Sequence, residues 1–374
     1  MKIPMRLVLQ SRQSALDVPA LAPPNGITSN FDDPPNNNAL GYGILSTMLA
    51  LASLAVFLRI FSRFMATRKL RLEDFLGISS FGLFVTYLAC AYHALEFPGF
   101  YVHQWNVRLS EIPRLQYWFY IASNAYNAMI GTLKVAILLE WLHLFNPTKE
   151  RNSFFWTCHI IIWTNVLFYF ASAVAINLQC IPRQRIWDPT ITIGHCYVDA
   201  NDLYLAGTII NLISDLAILV TPQRVIWRLN ITRNRKLGIS FIFAIGVLCC
   251  GIATARIATT VTSASIVDAT YNLPLLIFLG TSEMLCALLV FCVPSVPLAI
   301  TTLGVHRLYS HISSLLSTRK ILHKSDGHSS IQSSQPSKKK LGDRGKSYQE
   351  IDQFSLEPIT GRGDYSRSTT HSFH

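Results

Sequence analysis

Apolar residues in this chain are gathered into seven long blocks instead of being spread along it. The blocks run over approximately 38–60, 74–95, 115–143, 154–178, 202–223, 237–262 and 272–300. Four stretches within them, Asn38–Leu58, Phe75–Tyr92, Leu115–Leu133 and Phe154–Gln179, contain no Asp, Glu, Lys or Arg. Each block reaches the roughly 20 residues that a helix needs to cross about 30 Å of hydrocarbon. The pattern predicts an all-α membrane protein with seven transmembrane helices within 38–303. Residues 1–37 read as an unstructured tail, and the apolar run in MKIPMRLVLQ is too short and broken for a signal-peptide core. Residues 304–374 are rich in Ser, Lys and Gly with few large apolar side chains, which predicts a second disordered tail.

Charge orients the bundle, because cytosolic loops carry the excess of Lys and Arg. Fourteen such residues border loops one, three and five and the end of helix seven, among them Arg63, Arg68, Arg71, Arg228 and Lys236. The opposite face has four, namely Arg108, Arg114, Arg183 and Arg185. The N-terminus is therefore expected outside and the C-terminus in the cytosol. Half of the 374 residues are hydrophobic and 14% are charged, so the formal charge of +11 reads as this topology signal. The partner it implies is a lipid bilayer, not a nucleic acid.

Six of the eight cysteines fall inside the helical blocks, where small apolar thiols pack well. Cys180 and Cys196 bracket the loop between helices four and five. That loop is expected on the oxidising side, so a disulfide across it is expected, with two free thiols as the alternative.

Four helices carry a deep charge: Lys134 in helix three, Asp215 in five, Arg256 in six and Glu283 in seven. Ionisable side chains in a bilayer face the bundle interior, pair with each other or mark a functional path. Lys134 and Asp215 lie at similar depth from the cytosolic end, roughly 12–14 Å at 1.5 Å per residue. Arg256 and Glu283 both lie in the outer half. Two pairs follow as expectations, Lys134–Asp215 and Arg256–Glu283, either as structural ties or as working groups. Reaching out to the headgroups is an alternative for Arg256 and for Glu140, which with His143 sits near the cytosolic boundary. A retinal Schiff base needs a lysine in helix seven, and 272–300 has none. No cofactor is expected.

The segment NLISDLAILVTPQRVIWRLN (211–230) resembles the N-x-x-x-D…P…W-R-L segment of the fungal rhodopsin-domain integral membrane family. Asn211, Asp215, Pro222 and Trp227 fall on its marked positions. Other likenesses follow in order: Arg59 and Arg63 in LRIFSRF, Asp74 in LEDFL, and Gly99, His103 and Trp105 in GFYVHQW. Lys134, the Cys180–Cys196 loop, Arg256, Glu283 and Pro294 complete a likeness over roughly 40–305. It implies a receptor-like seven-helix protein of filamentous fungi without pigment, some relatives being encoded beside secondary-metabolite genes. The chain departs from the pattern at Ala136, Glu140–Trp141 and His143 near the end of helix three, and at Leu279–Gly280 in helix seven.

Weaker signals are read plainly. His93, Glu96 and His103 match no closed zinc spacing, so no metal site is expected. Phe97, Phe100, Tyr101 and Trp105 read as an interfacial aromatic belt. The Asn230-Ile231-Thr232 sequon falls on the cytosolic side and the Arg362-Gly363-Asp364 tripeptide in the tail, where neither is expected to act.

Three functional classes remain open. A receptor or sensor would have a small-molecule ligand or a cytosolic signalling partner. A transporter or membrane-embedded enzyme would serve a metabolite pathway, and an accessory scaffold would need no site. Transport is weakened by the lack of an inverted repeat. Catalysis is weakened because no nucleophile–base or metal constellation stands at workable spacing, so enzyme activity is not expected.

Overall fold

A computed structural model describes residues 18–67, 70–146, 150–226, 233–264 and 267–295. Trp227, Arg228 and the 230–232 sequon of the fifth loop, and the 304–374 tail, lie outside these residues. Seven helices in it are long and apolar enough to cross a membrane. They are α1 (Asn38–Thr67), α2 (Leu72–Glu96), α3 (Ile112–Phe145), α4 (Ser153–Leu178), α5 (Ala200–Ile226), α6 (Arg233–Ala264) and α7 (Ala269–Cys292). Helices satisfy every backbone group internally, which hydrocarbon demands.

Local chemistry sets their ends. Pro113 starts α3 at a position where its missing N–H costs nothing. The Asn152 side chain accepts from Phe155 N at 3.0 Å and caps α4, while Asp74 accepts from Arg71 N at 3.1 Å at the head of α2. Helix α1 runs past residue 60, where its apolar block stops. The reason is that Arg63 is turned into the bundle and 9% exposed, so the helix need not end at the headgroups.

Helices α3 and α7 bury the largest share of their residues and form the centre, while α4 buries the least. Only Cys158, Asn165 and Tyr169 of α4 are buried. The core is filled by Phe84 and Leu88 of α2, Met129, Leu133 and Leu138 of α3, and Met284 and Leu288 of α7. In lipid, such packing holds helices by dispersion more than by exclusion of water. Gly131 is one point of close approach: a Cβ there would sit 2.9 Å from the Tyr169 ring.

One end of the bundle carries the disulfide. Cys180 and Cys196 are bonded and face each other across the two-stranded antiparallel sheet β1 (Cys180–Ile181) and β2 (His195–Cys196). At the same end, residues 18–37 differ from the expected loose tail. Ala20 N donates to Val107 O and Leu109 N to Val18 O, both at 2.9 Å, and Asn37 N donates to Phe100 O at 2.9 Å. The polar segment stays put because the α2–α3 loop supplies partners for its backbone.

Candidate functional site

The deep charges meet in one network at mid-bundle. Lys134 Nζ lies 2.9 Å from Asp215 Oδ1 and also donates to Asn211 Oδ1 at 2.8 Å and Asn211 O at 3.1 Å. Asn211 is the bridge. Its Nδ2 donates to Glu283 Oε1 at 2.5 Å and to Asp215 Oδ2 at 3.3 Å, and its Oδ1 accepts from Tyr169 OH at 2.6 Å. Tyr126 OH donates to the same Glu283 Oε1 at 2.9 Å. Arg256 Nε stands 3.1 Å from Glu283 Oε2, close enough for charge pairing but misaligned for a hydrogen bond. Five helices, α3 to α7, are thus joined through one amide.

The two pairs expected from depth are in contact, but they are one unit through Asn211 and not two independent bridges. Arg256 does not reach for headgroups. It is 2% exposed, its guanidinium carbon 4.5 Å from the Tyr126 ring centre. Tyr126 and Tyr169 carry no charge and were not singled out by the sequence. The available signal was helical register: Tyr126 precedes Lys134 by eight residues, about two turns on the same face.

Two cavities flank this network. The larger, about 430 Å³, extends from disulfide-loop residues Gln179 and Ile186 to Tyr126, Asn211 and Arg256. Its walls are mostly apolar, with Ala91, Phe119, Phe168 and Ile277 among them. The smaller, about 70 Å³, lies beyond Lys134, Asp215 and Glu283 and is lined by Trp141, Pro222 and Cys249. Small-molecule sites of roughly 300–1,000 Å³ with apolar walls and a few placed polar groups are the usual form.

The motif arginines build a separate cluster at the end away from the disulfide. Arg59 Nη2 donates to Asp74 Oδ1 at 2.9 Å and Glu140 Oε2 at 2.7 Å, and its Nε donates to Asp74 at 3.2 Å. Its Nη1 donates to Phe291 O at 2.6 Å and Ser295 Oγ at 3.3 Å, and Phe291 stacks on the guanidinium at 3.6 Å. Arg63 Nη2 donates to both Glu140 oxygens. Glu140 therefore does not reach for headgroups: at 6% exposure it completes a box of two arginines and two carboxylates. His143, by contrast, is half-exposed, 4.0 Å from Glu73.

The third motif group ties the disulfide end. His103 Nδ1 lies 2.6 Å from Asp268 Oδ2, with its ring stacked between Trp105 at 4.1 Å and Tyr271 at 4.3 Å. Gly99 has φ +106°, a left-handed conformation that favours glycine, and packs on Asn38. The expected aromatic belt is corrected at Phe100, which is 1% exposed and packs on Phe278 in the core. Burial, with Tyr271 nearby, lifts the Tyr101 hydroxyl above its ordinary pKa. His93 pairs with Glu96 at 3.3 Å while His103 turns to Asp268, so the three do not converge. Among the described residues, no group of three or more His, Cys, Asp or Glu side chains is placed to hold a metal ion.

Seven apolar helices around a hydrogen-bonded, charge-paired interior define a multi-pass integral membrane protein. The chain belongs to the fungal rhodopsin domain family, whose domain matches residues 58–301. Among curated relatives, it is 38% identical over 294 residues to "Fugralins biosynthesis cluster protein 2" of Gibberella zeae, covering 78% of this chain and 73% of that protein. It is 33% identical to a "SAT4 family membrane protein" of Emericella nidulans, over 52% of this chain and 48% of that one. It is 23% identical to "Receptor GIN3" of Arthrobotrys oligospora, over 60% of this chain and 53% of that one. The matches to the latter two span about half the length of those relatives. No solved structure matches the chain.

Proposed function

We propose that this protein is a receptor or sensor without retinal. It takes a small molecule from the disulfide side, which faces outside or the lumen, and passes the change through the charged network toward the cytosolic end. The observation that carries this reading is the 430 Å³ cavity ending on Arg256 and Asn211. A ligand seated there touches side chains of a network that spans five helices, so binding alters contacts throughout the bundle. Retinal is set aside because α7 has no lysine and Lys134 Nζ is already engaged by Asp215 and Asn211. Purified protein should be colourless, and a visible absorption band would overturn that part. The Lys and Arg asymmetry supports an outer N-terminus. Labelling a cysteine introduced at Asn30 with a membrane-impermeant reagent in intact cells tests it.

A second reading, an accessory transporter or membrane-embedded enzyme of a secondary-metabolite pathway, is favoured by two observations. The 38% identical relative is named as a biosynthesis cluster protein, and a second cavity lies across the network from the first. Gene deletion with paired transcript and metabolite profiling separates the two. Loss of a sensor changes expression of its response genes. Loss of a pathway component leaves expression intact and accumulates an intermediate.

A further inference from the structure

Arg59 and Arg256, the two most deeply buried arginines among the described residues, differ in how their donors are used, and the difference points to the large cavity. Arg256 lines that cavity, is 2% exposed, and makes its one ion pair among the described residues at Nε. Its two Nη nitrogens form no hydrogen bond among the described residues. A guanidinium carries four N–H donors on those two nitrogens, in a planar fork that matches a carboxylate bidentately. They are open to the cavity, since of the guanidinium nitrogens only Nε is sealed off without a hydrogen-bond partner. Glu283 does not claim them. Its Oε1 is taken by Tyr126 and Asn211, and its Oε2 faces Nε.

The surroundings narrow the anion. The Arg256 guanidinium carbon lies over the Tyr126 ring at 4.5 Å from its centre and over the Tyr204 ring at 5.9 Å, so two aromatic faces border the cation. The network's two cations and two anions cancel, so any entering anion adds net charge, and a monocarboxylate adds half as much as a phosphate dianion. The walls beyond are apolar: Ala91, Phe119, Phe168, Leu273 and Ile277.

Resting on the reading of this cavity as a ligand site, we propose that it binds an amphipathic monocarboxylic acid. The carboxylate is held by the Arg256 fork and the apolar or aromatic body lies against α2, α3, α4 and α7.

The test uses the full-length chain in lipid nanodiscs. Probes are phenylacetate, naphthylacetate and cyclohexanebutyrate, each against its own primary amide, with affinity read from ligand-dependent thermostability. Two variants accompany the wild type. Arg256→Lys keeps the charge beside Glu283 but removes the fork. Gly207→Leu fills the cavity from a helix position where an added Cβ meets nothing within 4 Å. The expected result is at least one acid binding the wild type about tenfold or more tighter than its amide. Arg256→Lys should shrink that ratio to below about threefold, and Gly207→Leu should abolish binding of both. Equal binding of acid and amide, lost in Gly207→Leu, overturns the carboxylate assignment and leaves the cavity as a ligand site. Acid-selective binding unaffected by either variant places the site elsewhere and overturns the proposal. No binding of any acid overturns it together with the reading it rests on.

Discussion

Arg59 and Arg256 are buried to nearly the same degree, 3% and 2% exposed, in opposite halves of one bundle. Their surroundings have little else in common. Arg59 places all five N–H donors on acceptors from α2, α3 and α7 and the turn that follows α7. Arg256 places one nitrogen beside one carboxylate and turns the rest toward a cavity. Burial alone therefore does not say what an intramembrane arginine is for. Occupancy of its donors does: a saturated guanidinium is a tie, and an unsaturated one is available to something else.

Four measurements break or sharpen that contrast, each reading thermostability of the solubilised full-length chain. Arg59→Met should be the most damaging. It leaves Asp74 and Glu140 facing Arg63 alone, a loss of about 3–5 kcal/mol for an uncompensated buried charge. A variant that melts like the wild type would remove the saturated half of the comparison. Next comes the double change Cys180→Ser with Cys196→Ser, which opens a covalent loop with a sequence separation of 16 at the mouth of the Arg256 cavity. For a loop of that size the expected loss is about 3 kcal/mol. Reductant should reproduce it in the wild type and do nothing further in the variant.

Asp215→Asn should cost less, about 1–3 kcal/mol, because Lys134 keeps both acceptors on Asn211. Adding Lys134→Met should recover part of it by removing the orphaned cation. A double variant no better than either single one would mean that the pair is not coupled. Arg256→Lys should be mildest, about 0.5–1.5 kcal/mol, since a single contact is weakened. A loss as large as that of Arg59→Met would erase the distinction drawn here.

The seven helices are legible in the sequence because hydrocarbon imposes a length and forbids charge, and both leave marks in one dimension. The four deep charges are legible for the same reason: each interrupts an apolar run. What joins them is not. Asn211, Tyr126 and Tyr169 are ordinary polar punctuation in membrane helices, and only three-dimensional convergence makes them a network. Near a helix end, Glu140 reads as able to reach for headgroups until Arg59 and Arg63 are seen to turn inward and take it. Arg63 carried the complementary ambiguity, counting toward topology while serving the ion box. The cavities leave no trace in the sequence at all, since a void is what several helices jointly fail to fill.

Helix α4 carries one more consequence. With Cys158, Asn165 and Tyr169 as its only buried residues, it meets the rest of the molecule along a narrow seam. Asn165 accepts from Ser214 Oγ at 2.6 Å, and Tyr169 reaches the Asn211 amide. In a saturation mutational scan, most α4 positions should therefore accept almost any greasy residue, while 165 and 169 accept little. Divergence along this helix away from the cavity-lining positions Phe168, Tyr169, Ser172 and Ile176 would then say little about whether two such proteins hold the same compound in the proposed ligand cavity, and a change at one of those positions would say a great deal.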